Sequence, residues 1–84
     1  MATTLYVTVN ELNDLQISIM KCIDVWTHEE KLPISQKEIL LRMHHVGIKE
    51  CTAINAINTL LHKGYIRRGY SQSNESIYVQ IRRV

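Results

Sequence analysis

The sequence predicts one small α+β domain that is mainly helical. Three segments between residues 11 and 64 place apolar residues at helical spacing, and two strand-like runs with a polar turn between them follow residue 64. At 84 residues, with 45% hydrophobic and 21% charged residues, the chain has the size and composition of one folded unit. We therefore expect residues 1–84 to form a single domain of three helices followed by a hairpin.

An additional strand is predicted at the amino terminus. In "TLYVTV", residues 4–9, Leu5, Val7 and Val9 alternate with Tyr6 and Thr8, which is the period of a half-buried strand. A strand outside the helical core can add to the sheet of the carboxyl-terminal hairpin or pair with a second copy of the chain. This arm, residues 1–10, therefore offers a route to a homodimer.

The first helix is predicted over "LNDLQISIMKCIDVW". Asn13 or Asp14 can accept the unpaired backbone N–H bonds at its start, and the polar "THEEK" should end it. One apolar stripe follows the helical spacing: Leu12, Leu15, Ile19, Cys22, Ile23 and Trp26.

Pro33 should place the chain in an extended step before the second helix, because proline disfavours helix at the preceding residue. Ser35 and Glu38 have the spacing of a capping box, which predicts a helix from about 35 to 44. Gly47 is suited to turn the chain out of it.

The third helix is predicted from about 52 to 63, with Thr52 as its cap and Gly64 just beyond its end. Its apolar side consists of Ile54, Ile57, Leu60 and Leu61. The opposite face is small and polar, with almost no charge, and consists of Thr52, Asn55, Ala56, Thr59 and His62.

The carboxyl-terminal segment, residues 65–84, is predicted to be a basic hairpin in which "SQSNE" joins "YIRRGY" to "SIYVQIRR". Residues 62–84 hold five Lys or Arg against one acidic residue, a net charge of +4. Residues 1–61 hold five against seven, a net charge of −2. This asymmetry favours a partner that carries phosphates.

Several other classes are disfavoured by the sequence. It contains neither an apolar run long enough to span a bilayer nor a secretion signal, so we expect a cytoplasmic protein. Cys22 and Cys51 lack metal or redox spacing and should be reduced. His44 and His45 are adjacent, so on a helix they point about 100° apart and make a poor metal site. Without a nucleophile and base pair, we expect no enzyme, metal or cofactor.

The order of elements resembles a winged helix-turn-helix. "LNDLQISIMKCI" resembles the start of the DNA-binding domain of the LexA repressor family, and "LPISQKEI" resembles that family's proline step into its second helix. "INTLLHKGYIRR" is similar to the junction between recognition helix and wing in many winged-helix regulators. The resemblance covers roughly residues 12–84 and implies a three-helix core, residues 11–64, with a wing at 65–84.

The resemblance implies a small bacterial or phage transcription regulator, repressor-like, that binds double-stranded DNA through its third helix and wing. Asn can bind adenine through two hydrogen bonds, and Thr can offer a hydroxyl or touch a thymine methyl. The candidates for base contacts are Thr52, Asn55, Ala56 and Thr59. The candidates for phosphate contacts are Lys49, Lys63, Arg67, Arg68, Arg82 and Arg83.

Alternative interpretations remain open. The polar helix face also fits a solvated surface, and the arginines also fit protection of exposed strand edges. The domain could instead bind a protein partner, or it could be the origin-binding part of a phage replication initiator, which would use the same DNA contacts.

Overall fold

The computed structural model describes residues 12–82, which form three helices and a three-stranded antiparallel sheet. In chain order the elements are α1 (Asp14–Glu30), β1 (Ile34–Ser35), α2 (Gln36–His45), α3 (Glu50–Lys63), β2 (Ile66–Tyr70) and β3 (Ser76–Gln80). The expected mainly helical α+β domain is therefore confirmed. The strand predicted over residues 4–9, the dimer inferred from it and Arg83 lie outside the described residues.

The starts of α1 and α2 follow the local signals in the sequence. Asn13 Oδ1 accepts from Gln16 N at 2.8 Å, and Gln16 Oε1 accepts from Asn13 N at 3.1 Å, which completes a capping box. Ser35 Oγ accepts from Glu38 N at 3.1 Å. The Glu38 carboxylate accepts a bond from Arg42 Nε at 2.9 Å. Of the two bonds in the capping box predicted at Ser35, the one from Glu38 N to the Ser35 side chain is therefore the one seen.

The start of α3 lies two residues before the prediction. Lys49 is the N-cap, its side chain makes no capping bond, and its carbonyl oxygen accepts from Ala53 N at 3.0 Å. The preceding turn places the start here, because Gly47 adopts φ +84° and Ile48 then packs against the core. Thr52 therefore lies inside the first turn, and its prediction as the cap was wrong.

The core is formed by all three helices and by one face of the sheet. α3 contributes Ala53, Ala56, Ile57 and Leu60, while Ile54 is only half-buried. Two alanines on this face let the helix backbone approach its neighbours closely. Ala56 is only 6% exposed. The prediction that Ala56 lies on the outward face of the helix was therefore wrong, because its side chain packs in the core.

The end of α3 and the hairpin follow the prediction. Gly64 caps the helix at φ +81°, and its N–H donates to the carbonyl oxygens of Leu60 and Leu61. Residues 71–75 then join β2 to β3. Arg82, which was expected on the second strand, lies beyond the end of β3 at Gln80.

The sheet has the order β1-β3-β2, so that β3 is central. β1 occupies the extended step after Pro33 and pairs Ile34 with Tyr78, a pairing that the sequence did not predict. Side chains alternate along strands, so Tyr78 and Arg68, which are directly opposite, lie on one face, and Arg67 lies on the other.

Candidate nucleic-acid interface

The exposed face of α3 is a stripe of short side chains without Asp, Glu, Lys or Arg. Cys51, Asn55, Asn58 and His62 are exposed and follow one another at intervals of four, three and four residues, which places them along one side of the helix. We call these four residues the polar stripe. Thr52 is also exposed, beside the start of the stripe.

Asn55 and Thr59, two of the predicted base contacts, differ in what they offer a ligand. Asn55 is exposed, and within residues 12–82 its side-chain amide has no hydrogen-bond partner, so both its oxygen and its nitrogen are open to a ligand. Thr59 is half-buried, and its hydroxyl donates to the Asn55 carbonyl oxygen at 3.0 Å. Thr59 therefore retains its methyl group and an acceptor oxygen for contacts outside the helix.

Asn58 belongs to this surface, although it was not among the predicted base contacts. The spacing of the polar stripe identifies it once Ala53 and Ala56 are assigned to the core. An alanine at the edge of an apolar pattern fits either side of a helix. Because Ile54 is strongly apolar, the prediction assigned Ile54 to the buried side and Ala56 to the exposed side.

Arg68 connects the hairpin to the polar stripe. Its Nη2 donates to Asn58 Oδ1 at 3.4 Å and to Tyr78 Oη at 3.1 Å, and its Nε donates to Tyr78 Oη at 3.2 Å. The guanidinium carbon also lies 5.5 Å from the centroid of the Tyr78 ring. The hydrogen bonds that Arg68 donates to Tyr78 are the main cause that raises the pKa of Arg68 above its usual range.

Tyr78 anchors this arrangement from the core. The residue is fully buried, and its hydroxyl donates to Gln36 Oε1 on α2 at 2.7 Å. The phenol oxygen donates its one hydrogen to Gln36 and accepts the bonds from Arg68 Nε and Nη2. Side chains from α2, α3, β2 and β3 thus meet at one point.

Arg67 lies in different surroundings. It is exposed, and its side chain forms no hydrogen bond or ion pair within the part of the chain that the structure describes. With Arg68, Gly69, Ile77 and Val79 it lines a shallow apolar depression next to Pro33. The two arginine side chains leave β2 on opposite faces, because consecutive residues of a strand alternate.

Three of the remaining predicted phosphate contacts lie near the two ends of α3. Arg82 stacks on Tyr65, with its guanidinium carbon 4.4 Å from the ring centroid, just after the carboxyl end of the helix. Lys63 is half-buried in the last turn, and Lys49 is exposed before the first turn. Arg83 lies outside the described residues.

Carboxylates limit where an anion can approach. Glu50 occupies the first turn of α3, and it lines a cleft with Glu75 of the hairpin turn and Lys37 of α2. A negative charge in the first turn competes with any phosphate for the backbone N–H groups there. The side of the stripe around Asn58 and Arg68 is therefore better suited to a phosphate-bearing ligand than the side around Thr52.

Comparisons with protein families, curated proteins and solved structures found no match. Within residues 12–82, no group of three or more His, Cys, Asp or Glu is placed to hold a metal ion. The helices in the same range include none that is both long and apolar enough to cross a bilayer.

Proposed function

We propose that this chain is a winged helix-turn-helix domain that binds double-stranded DNA and acts as a small transcription regulator. In this proposal α3 enters the major groove, and the β2–β3 hairpin is the wing that contacts the flanking backbone. The observation that carries the proposal is the polar stripe, an uncharged helix face joined to the basic hairpin through the Asn58–Arg68 bond.

The polar stripe fits the physical demands of a groove. Side chains there must be short enough to let the helix approach and must carry donors or acceptors for base edges. Asn55 and Asn58 meet both demands and are separated by three residues, so they lie next to each other on the helix surface. A helix face that contacts only solvent commonly carries Lys or Glu, and the polar stripe contains neither.

Affinity should come from the arginines of the hairpin segment. Arg67 is open to solvent, and Arg68 keeps its Nη1 donors in addition to the bonds that it makes within the domain. Contacts of this kind bind phosphates without selecting a sequence, and each one adds to the salt dependence of binding.

The test is selection of bound duplexes from a random pool, at about 50 and about 200 mM salt. A consensus that persists at the higher salt supports the proposal. If duplexes are recovered only at the lower salt and share no consensus, the chain binds DNA without sequence specificity, and its role as a regulator is contradicted. No recovery at either salt would contradict the proposal.

A second candidate function, protein binding, is favoured by one surface. Leu41 and Val46 are 52% and 69% exposed, and Leu41 borders a largely apolar groove with Leu40 and Ile48 between α2 and the start of α3. Leu41→Glu distinguishes the two functions, because it lies outside the polar stripe. It should leave DNA binding unchanged, whereas a protein-binding domain would lose its partner.

A further inference from the structure

We infer that Arg68 is a positioning residue that fixes the side-chain amide of Asn58, so that Asn58 presents a hydrogen-bond donor to the base that it contacts. This inference rests on the proposed DNA-binding function and adds to it a base preference at one position of the target site. It also replaces the expectation that Arg68 serves mainly as a phosphate contact.

The bond from Arg68 sets the orientation of the Asn58 side-chain amide. An asparagine amide has a carbonyl oxygen that accepts and an NH₂ group that donates. Arg68 Nη2 donates to the oxygen at 3.4 Å, and a guanidinium cannot accept a bond from the nitrogen. Rotation of the amide by 180° would set two donors against each other, so the contact selects the conformation in which Nδ2 faces away from Arg68.

The Arg68 side chain is itself held in place by Tyr78. At 3.4 Å the bond to Asn58 is long, and an unrestrained arginine on the surface would hold it only briefly. Arg68 is restrained because two of its nitrogens bond to one oxygen of Tyr78, and the Tyr78 ring is fully buried. Because the Tyr78 hydroxyl donates its hydrogen to Gln36, its oxygen remains the acceptor for Arg68.

The orientation of the Asn58 amide determines which bases Asn58 can contact. An Asn58 that offers Nδ2 alone can donate to N7 or O6 of guanine, to N7 of adenine or to O4 of thymine. Its oxygen is turned toward Arg68 and is therefore not presented to the amino group of cytosine. Asn55 is under no such constraint, since its amide has no partner within residues 12–82, and it retains the two-bond geometry that suits adenine. The two asparagines should therefore differ in their selectivity.

The test compares base preferences, obtained by selection from a random pool, for the full chain and three variants. In Asn58→Asp the oxygen that meets Arg68 is kept while the donor becomes an acceptor, so cytosine should become favoured at one position. Tyr78→Phe and Arg68→Ala should leave the same position several-fold less selective, without a change at the position contacted by Asn55. Arg67→Ala is the matched control and should leave all preferences unchanged.

The salt dependence separates positioning from phosphate binding. For Tyr78→Phe, which removes no charge, the slope of log affinity against log salt should equal that of the wild type. The inference is overturned if Arg68→Ala lowers the slope as Arg67→Ala does and leaves base preferences intact. It is also overturned if Asn58→Asp and Tyr78→Phe, with helical circular dichroism like the wild type, select the wild-type consensus. If the wild-type chain selects no duplex, the proposed function itself fails.

Discussion

Arg67 and Arg68 are consecutive in the sequence but lie on opposite faces of the sheet, Arg67 opposite Val79 and Arg68 opposite Tyr78. Arg68 donates to the buried Tyr78, whose hydroxyl in turn donates to Gln36, whereas the Arg67 side chain is unpaired within residues 12–82. Two identical charges thus have different surroundings, and each should respond differently to substitution.

Arg67→Ala should weaken binding to every duplex by a similar factor. An unpaired guanidinium that contacts one phosphate accounts for about 0.9 of the slope of log affinity against log salt, and the variant should lose that amount. Fluorescence anisotropy over a salt series measures the slope. Arg67→Lys, which keeps the charge, should retain it, and an unchanged slope in Arg67→Ala would remove this residue from the interface.

Ala56→Leu should destabilise the domain, because it adds three heavy atoms where the side chain is only 6% exposed. Overpacking of a core site costs about 1–3 kcal/mol in the free energy of unfolding, as measured by urea denaturation. Asn55→Ala, one residue earlier on the exposed face, should be neutral or slightly stabilising, since alanine favours helix. Equal stability of Ala56→Leu and wild type would place Ala56 on the surface.

Gly64→Ala should also destabilise, for a reason that lies in the backbone. Gly64 has φ +81°, and a Cβ added there would meet no atom within 4 Å, so the expected loss of about 1 kcal/mol comes from left-handed strain alone. Gly69→Ala is the matched control. Its added Cβ would lie 3.6 Å from Ile77 Cγ1, an ordinary contact, and urea denaturation should show little change. A reversed order of the two variants would refute the assigned cap.

Cys22 should make the stability fall at alkaline pH. Burial is the main cause that raises the pKa of this thiol above its ordinary value of 9.0. The contribution is fully present below about pH 9, where the thiol is protonated in both states, and it is lost as pH rises through the higher folded-state pKa. As the pH rises above about 9, the free energy of unfolding should fall more for wild type than for Cys22→Ala. Identical pH profiles would contradict this role.

Signals between residues close in sequence allowed several elements to be predicted. Asn13 and Ser35 cap their helices, and Gly64 ends α3, because each of these bonds joins residues no more than four apart. The hairpin turn depends on similar short-range chemistry. The apolar stripe of α1 was also predictable, since Ile19 and Ile23 follow the helical spacing of the stripe, and both are fully buried.

Features that depend on tertiary packing were missed. β1 has two residues, too few to show a strand period, and forms because β3 lies beside it. The face of α3 was misplaced by one position, because alanine is compatible with either side of a helix. The Asn58–Arg68 contact joins residues ten apart through a third, Tyr78, and nothing in the local sequence marks it. Only the alternation of Arg67 and Arg68 could have been predicted from strand geometry.

The most direct test of the central claim is a titration of the ¹⁵N-labelled chain with a selected duplex, followed through the side-chain amide resonances of Asn55 and Asn58. If α3 binds the major groove, these two amides should shift, and the backbone resonances of Leu41 and Val46 should remain in place. If the duplex leaves both asparagine amides unchanged while resonances elsewhere shift, the polar stripe is not the DNA-binding surface.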